Sequence, residues 1–582
     1  MGPMKTNTRK FKYEEKNRTP MKGMLVLAIL IGIFFMSSTN AADGFDHLII
    51  NSEEWTDVYS GILYAGYEGV PGEFLVSTAH GTVILNGISK EKTLRVLTSE
   101  DAPHVFNYPD QIRAMGFAGA NEIKSNDLNK DLAENLPDIK NFIVVSDAFG
   151  YNALAVVPYA KLTNAWVFFA NRDNIFRIDD LLSRRNVEKL LIYGFVDREV
   201  TDTLAKYNPE TINTGDRFQD NIDIVKKYLA KNPTKQVILT NGEFIEQEIM
   251  AGTQPTLFTG KENVPPVISD YLKNSEIEIG VLIGNDLVGA ASNIRQSTGI
   301  SVMVKFARSA RAPTGGINAV EGLDLYPVPT PNMKLLLHSI RYNQASSQLE
   351  VTYQSTSNIP VYFKGTITID AQGERKKVGD ASPVFIAPGD YKTIAYAATI
   401  SALDEAQAEI YTLYGETQAS MDRLITGTVK IEAINVLDAC KIEIDDVKSV
   451  KYTKQKEQII VQIKNTHDVD CWVDVELEDL AIGYAKKTIG SEGSERIAAG
   501  KTKKVTINQE LTEADLEQNK NVALSVYSGE REDSLVHILK GRFPLEIESL
   551  AILTYTLIVL AIIIIGLFIA IIILKKRKGE YY

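Results

Sequence analysis

The feature that most constrains the fold of this 582-residue chain is that it repeats itself, in two different ways. In the first half, three segments resemble one another at a period of about 95 residues. Each opens with a β-branched run ending in a small polar residue: Leu48–Asn51, Ile143–Ser146 and Val237–Thr240. A helical pattern follows, as in Tyr151–Ala155 and Phe244–Ile249. Further strand patterns come next: Phe74–Ser77, Val167–Ala170 and Thr256–Thr259, then Lys189–Gly194 and Gly280–Gly284. Strands that are apolar throughout and separated by helices predict parallel βα units, with both sheet faces covered. Units of this length are whole small α/β bodies rather than solenoid turns. The prediction is three Rossmann-like βα repeats over 42–136, 137–232 and 233–312, followed by a linker over 313–332.

From about residue 333 the period changes to two, with short alternating strands between turn residues. This half is duplicated at a period of about 110. Ser339–Tyr342 matches Ser449–Tyr452, and Ile386–Gly389 matches Ile497–Gly500. The pattern predicts two Ig-like β-sandwiches, over 333–432 and 433–546. The only two cysteines, Cys440 and Cys471, fall in the second of them. A disulfide is the simplest reading in an exported chain, closing a loop of roughly 30 residues and contributing about 3 kcal/mol. Two free buried thiols are the alternative.

Within the middle α/β repeat, VVSDAFGYNALAVVPYA, VEKLLIYG and NTGDRFQDNIDIVKKYL succeed one another. This succession resembles the type 2 cell-wall-binding repeat of prokaryotic surface proteins. The resemblance covers about 45–312 and is specific only in the middle copy. It implies three units around a pseudo-threefold axis that hold surface-layer and related proteins to anionic wall polymers. On that resemblance, Asp216 and Arg217 of the Gly215–Phe218 motif are ligand-binding candidates. Their other reading is a structural ion pair or helix cap. The motif departs from the family pattern, with Gly215 one residue closer to the Asp than usual. The first copy offers only Gly119–Ile123 at the matching place, and the third offers Lys305–Arg311. Arg308 and Arg311 supply either a local cationic pocket or a solvated face. Asp147 is a third ligand candidate, because ligand sites in α/β sheets lie at strand ends. Ser52 and Asn241 occupy similar places and are expected to cap helices.

Two apolar runs set the expected topology. Met24–Met36 follows a basic lead and precedes small residues, so 1–41 reads as a signal peptide with cleavage after Ala41 or Ala42. An uncleaved anchor is the alternative. Leu550–Leu574 has 25 residues without a charge and is followed by Lys575–Lys578. It predicts a transmembrane helix over 550–574, a cytoplasmic tail over 575–582, and an ectodomain outside the cytoplasmic membrane. The net charge of −12 then divides into basic flanks of +5 and +3 around a stretch of about −20. Such an acidic exterior disfavours nucleic acid as a partner.

No nucleophile elbow, zinc-protease helix, phosphate loop or calcium loop occurs. No catalytic residue, metal or cofactor is expected. His80 or His104 beside Ser146–Asp147 has no supporting motif, and Trp55, Tyr59 and Trp166 fit core packing or an aromatic-lined site. The expected function is that of a cell-surface structural protein, a surface-layer or envelope component acting by display and lateral assembly. Self-association or other envelope proteins would be its partners. The alternative is a surface receptor or adhesin whose head binds polysaccharide or a protein. An ectoenzyme is the remaining class.

Overall fold

The computed structural model describes residues 44–260, 262–283, 287–305, 325–483, 485–548, 562–567 and 569. The predicted signal peptide, the tail, Arg308 and Arg311 lie outside them. In the first half each repeat builds one four-stranded parallel sheet. The first contains β1 (His47–Asn51), β2 (Gly72–Phe74), β3 (Thr93–Ser99) and β4 (Gly119–Ser125), in the order β2-β1-β3-β4. The second contains β5 (Asn141–Ser146), β6 (Ala165–Ala170), β7 (Lys189–Tyr193) and β8 (Glu210–Ile212), in the order β6-β5-β7-β8. The third contains β9 (Gln236–Thr240), β11 (Thr256–Phe258), β12 (Ile279–Ile283) and β13 (Ser301–Lys305), in the order β11-β9-β12-β13. The order is the same in all three sheets, which is the structural counterpart of the sequence repeat. Gly119–Ile123 is thereby placed in the last strand of its sheet, ahead of the helix Leu128–Glu134.

The helices that follow each first strand meet at the centre. They are α1 (Trp55–Glu68), α2 (Tyr151–Thr163) and α4 (Gln247–Ala251). Between the last two in sequence lies α3 (Arg217–Lys231). Tyr151–Pro158 of α2 is buried without interruption. A helix apolar on every side has no solvent face to offer, so it is enclosed by its neighbours. The Tyr59 hydroxyl of α1 donates to the Ala153 carbonyl of α2 (3.0 Å), and Lys161 Nζ of α2 donates to the Met250 carbonyl of α4 (3.3 Å). Gln247 closes the triangle by donating to the Gly72 carbonyl at 2.8 Å. One apolar core, including Tyr59, Trp166 and Phe168, runs through all three units.

The stretch Phe244–Ile249, expected to be helical throughout, begins as β10 (Phe244–Glu246) before α4. The reason is tertiary. β10 pairs antiparallel with β14 (Leu325–Pro327), which arrives from the segment predicted as a linker. Tyr326 then lies in the head core against Phe74, and its hydroxyl donates to the Ser52 carbonyl at 3.3 Å. Gly150 has no room for a side chain, because a Cβ there would run into Val328 just after β14.

The first β domain has two sheets. One runs β20 (Tyr391–Ala397), β16 (Gln348–Ser355), β15 (Leu335–Asn343), β23 (Glu432–Ile434). The other runs β18 (Glu374–Gly379), β17 (Val361–Ala371), β21 (Gln407–Gly415), β22 (Arg423–Lys430), with β19 (Val384–Ile386) also on β17. The second domain repeats this plan with β24 (Val447–Thr453), β25 (Gln458–Lys464), β26 (Cys471–Ile482), β27 (Ala485–Gly490), β28 (Glu495–Ile497), β29 (Thr502–Asn508), β30 (Asn521–Gly529) and β31 (His537–Glu548).

One feature refines the predicted fold class and a second corrects it. First, the second domain is one continuous path rather than two separate sheets. β31 pairs antiparallel with β30 over His537–Pro544 partners and parallel with β24 from Leu545 onward, so it joins both sheets. In the first domain the equivalent strand is broken at buried Ile431, giving β22 on one sheet and β23 on the other. Second, among the described residues no helix is long and apolar enough to cross a membrane. Of the run 550–574, only 562–567 and 569 are described, and they are helical. The predicted transmembrane helix is therefore withdrawn.

Candidate functional site: charged groups buried between the domains

Asp216 and Arg217 open α3. Gly215 precedes them in a left-handed conformation (φ +82°) that turns the chain out of β8. The Asp216 carboxylate accepts from the Phe218 and Gln219 N–H groups (2.8 and 3.1 Å), satisfying donors that a helix start leaves unpaired. Its other oxygen accepts from the Thr417 hydroxyl of the first β domain at 2.8 Å. Arg217 points into the same joint. Its guanidinium lies 3.0 Å from Asp422 and 3.6 Å from Glu416, both just outside the strands of that domain. The guanidinium also sits over the rings of Tyr151 and Phe218, at 5.1 and 4.8 Å from their centroids.

Burial opposes the charge on Arg217, yet Asp422 and Glu416 hold its proton more tightly than usual. Burial pushes both carboxyls upward, with Arg217 opposing. A small cleft beside the joint is lined by Arg217, Asn241, Glu243, Asp422 and Arg423. The cationic groups are thus matched by carboxylates at the cleft itself.

Asp147 is elsewhere. Its carboxylate accepts from Asn171 after β6, and the structure does not bond it to Asp216 or Arg217. The polar strand ends work as turns: Ser52 accepts from Glu54 N–H and donates to Asp57, while Ser146 accepts from Ala148 N–H. His80 accepts from Val76 N–H, and His104 lies 3.7 Å from Glu53, so neither histidine meets Ser146. Trp55 and Tyr59 pack edge-on against Phe169, and Trp166 packs near Tyr67. Among the described residues no group of His, Cys, Asp or Glu is arranged to hold a metal ion.

A second charged joint was absent from the sequence reading. Lys392 of β20 is only 2% exposed and enters the second β domain. Its Nζ lies 2.8 Å from Asp474 Oδ2 and 2.6 Å from Glu476 Oε1, both on β26. The Tyr527 ring lies beneath it, 3.5 Å from Nζ to the centroid. Burial and the neighbouring Asp474 charge push the Asp390 carboxyl up to about 8. The one available signal was Asp474, Glu476 and Glu478 at alternate positions of β26 between apolar residues, which points these charges toward one face. The partner of Asp474 lies 82 residues earlier, beyond any local pattern. The head reaches this second domain too: Arg198 bonds Asp515 at 2.8 Å, and Lys487 lies 4.1 Å over the Phe195 ring. Cys440 and Cys471 form a disulfide with their Cα atoms 5.5 Å apart.

The chain matches no protein-family model and no curated protein. Solved structures share local likeness only. The ligand binding region of serine-glutamate repeat protein A of Enterococcus faecium matches at TM-score 0.14 and 15% identity, over 20% of this chain and 99% of that one. The YadV chaperone matches at TM-score 0.13 and 10% identity, over 37% of this chain and 100% of that one. The calcium binding domain CBD12 of CALX1.1 matches at TM-score 0.13 and 10% identity, over 34% of this chain and 82% of that one. Likeness at this level carries no argument about function.

Proposed function

We propose that this chain is an exported structural protein of a prokaryotic cell envelope, which acts by display and lateral assembly rather than catalysis. The resemblance of the middle repeat to the type 2 cell-wall-binding repeat motivates the reading, and the disulfide suits an oxidising exterior. The observation that carries it is the fixing of three bodies to one another. Arg217 joins the head to the first β domain, Arg198 joins it to the second, and Lys392 joins the two β domains. A chain locked in this way presents one constant relief to its neighbours, as a surface array requires. Phe106 (76% exposed) and Phe176 (68%) on the head, with Leu437 (75%) between the β domains, give lateral contacts apolar anchors.

Electron microscopy of the native envelope tests the proposal. A regular array that disappears when the chain is deleted is the expected result. A sparse, unordered distribution of the protein on an unchanged envelope would sink it.

A further inference from the structure

Lys392, Asp474 and Glu476 are arranged for more than an ion pair. A lysine amine is a nucleophile once it gives up its proton, and burial favours the uncharged form. Here burial works against the charges of Lys392 and Asp474, but their mutual attraction and the Glu476 charge prevail, holding the Lys392 proton well above the ordinary lysine range and Asp474 below the ordinary carboxylate range, so the amine is freed only by transfer of that proton to a neighbouring carboxylate. Conversion of the pair to a neutral amide would remove this conflict.

The surroundings of Asp474 are asymmetric. Its Oδ2 faces Lys392 Nζ at 2.8 Å. Its Oδ1 accepts from the Val475 N–H at 2.7 Å and from the Ser491 hydroxyl at 2.6 Å. Two fixed donors on one carboxyl oxygen are what a tetrahedral oxyanion needs. Glu476 Oε1 lies 2.6 Å from the same Nζ, and its Oε2 accepts from the Tyr527 hydroxyl at 3.0 Å. Burial pushes Glu476 up to about 7, which suits a group that takes and returns a proton near neutrality.

The geometry points to an intramolecular amide bond between Lys392 Nζ and the side-chain carbonyl carbon of Asp474, which joins the two β domains covalently. Glu476 takes a proton from the ammonium and passes it to Asp474 Oδ2, and the freed amine attacks the carbon of the resulting neutral carboxylic acid. Val475 N–H and the Ser491 hydroxyl hold the oxyanion on Oδ1. The C–Oδ2 bond breaks as Glu476 delivers a second proton from nitrogen to Oδ2. One C–N bond forms, one C–O bond breaks, and one water leaves with both protons lost by nitrogen. The charges of Lys392 and Asp474 cancel, Glu476 is regenerated, and no oxidant or co-reactant enters.

Mass spectrometry of the full-length protein, reduced, denatured and digested with trypsin, tests this. Trypsin does not cut after an acylated lysine. The expected product therefore links residues 378–423, uncut at Lys392, to residues 465–486. Its mass is one water, about 18 Da, below that of the two peptides together. Lys392→Arg should abolish the linked species and keep the buried charge. Glu476→Gln should slow its appearance about 100-fold or more. A folded wild-type protein that yields free 378–392 and 465–486 peptides overturns the proposal whatever the variants do. A link that survives in Asp474→Ala overturns the choice of Asp474 as the acyl group.

Discussion

At the residue scale, burial decides what each charged side chain can do. Arg217 has two carboxylates and two rings around it, and of the two carboxylates Asp422 also lies 3.9 Å from Arg423 Nε. Arg217→Ala would leave Glu416 buried without the arginine and Asp422 with Arg423 alone, a loss of about 3–5 kcal/mol. Denaturant unfolding checks this, and an unchanged midpoint would show that the joint does not bear on stability. Asp57 gives a pH dependence of definite sign. Burial, opposed by the Ser52 hydroxyl, pushes its carboxyl from 3.8 up to about 6. The folded state therefore binds more protons than the unfolded state between those values, and stability falls as pH rises through that window. Asp57→Asn should flatten the decline between about pH 4 and 6 in a stability profile. A profile unchanged in slope would place the proton elsewhere.

At the element scale, the short strand β14 shows how far local pattern reaches. Three residues carry no usable periodicity, yet Leu325–Pro327 completes a pair with β10 and delivers Tyr326 to the head core. Tyr326→Ala is expected to destabilise the head by about 3–5 kcal/mol, as for other large-to-small core changes. Hydrogen exchange would show it at β2 and β10, and protection equal to wild type there would contradict the assignment. The disulfide ties the segment before β24 to the start of β26. Its loss in Cys440→Ala/Cys471→Ala should lower the stability of the second β domain by about 3 kcal/mol. A thermal scan resolving that domain measures it.

At the scale of the whole molecule, the head contacts both β domains, and they contact each other. The arrangement is a closed triangle of bodies rather than a head carried on an extended stalk. Combined substitution of Arg198, Arg217 and Lys392 should free the bodies to swing, and small-angle scattering should record a larger radius of gyration. A radius identical to wild type would mean that other contacts hold the triangle.

Much of this architecture was legible before the structure. The three βα repeats follow from β-branched runs at a constant period, because a strand buried on both faces has little choice but to be apolar throughout. The β duplication was equally plain, because alternation and turn residues recur together. The Asp216–Arg217 motif was visible, and its cap is a local event that the residues at a helix start dictate. What faced the pair was not visible, because Thr417 and Asp422 lie about 200 residues away. The union of two sheets by β31 was hidden for a related reason: its pairing partners, not its own residues, decide whether one strand serves two sheets. The sequence by itself determined the period and the α/β and β character of the two halves, since these rest on local sterics and on which residues avoid water. Only the tertiary structure decided which charges are buried together, since that depends on surfaces brought into contact after each unit has folded.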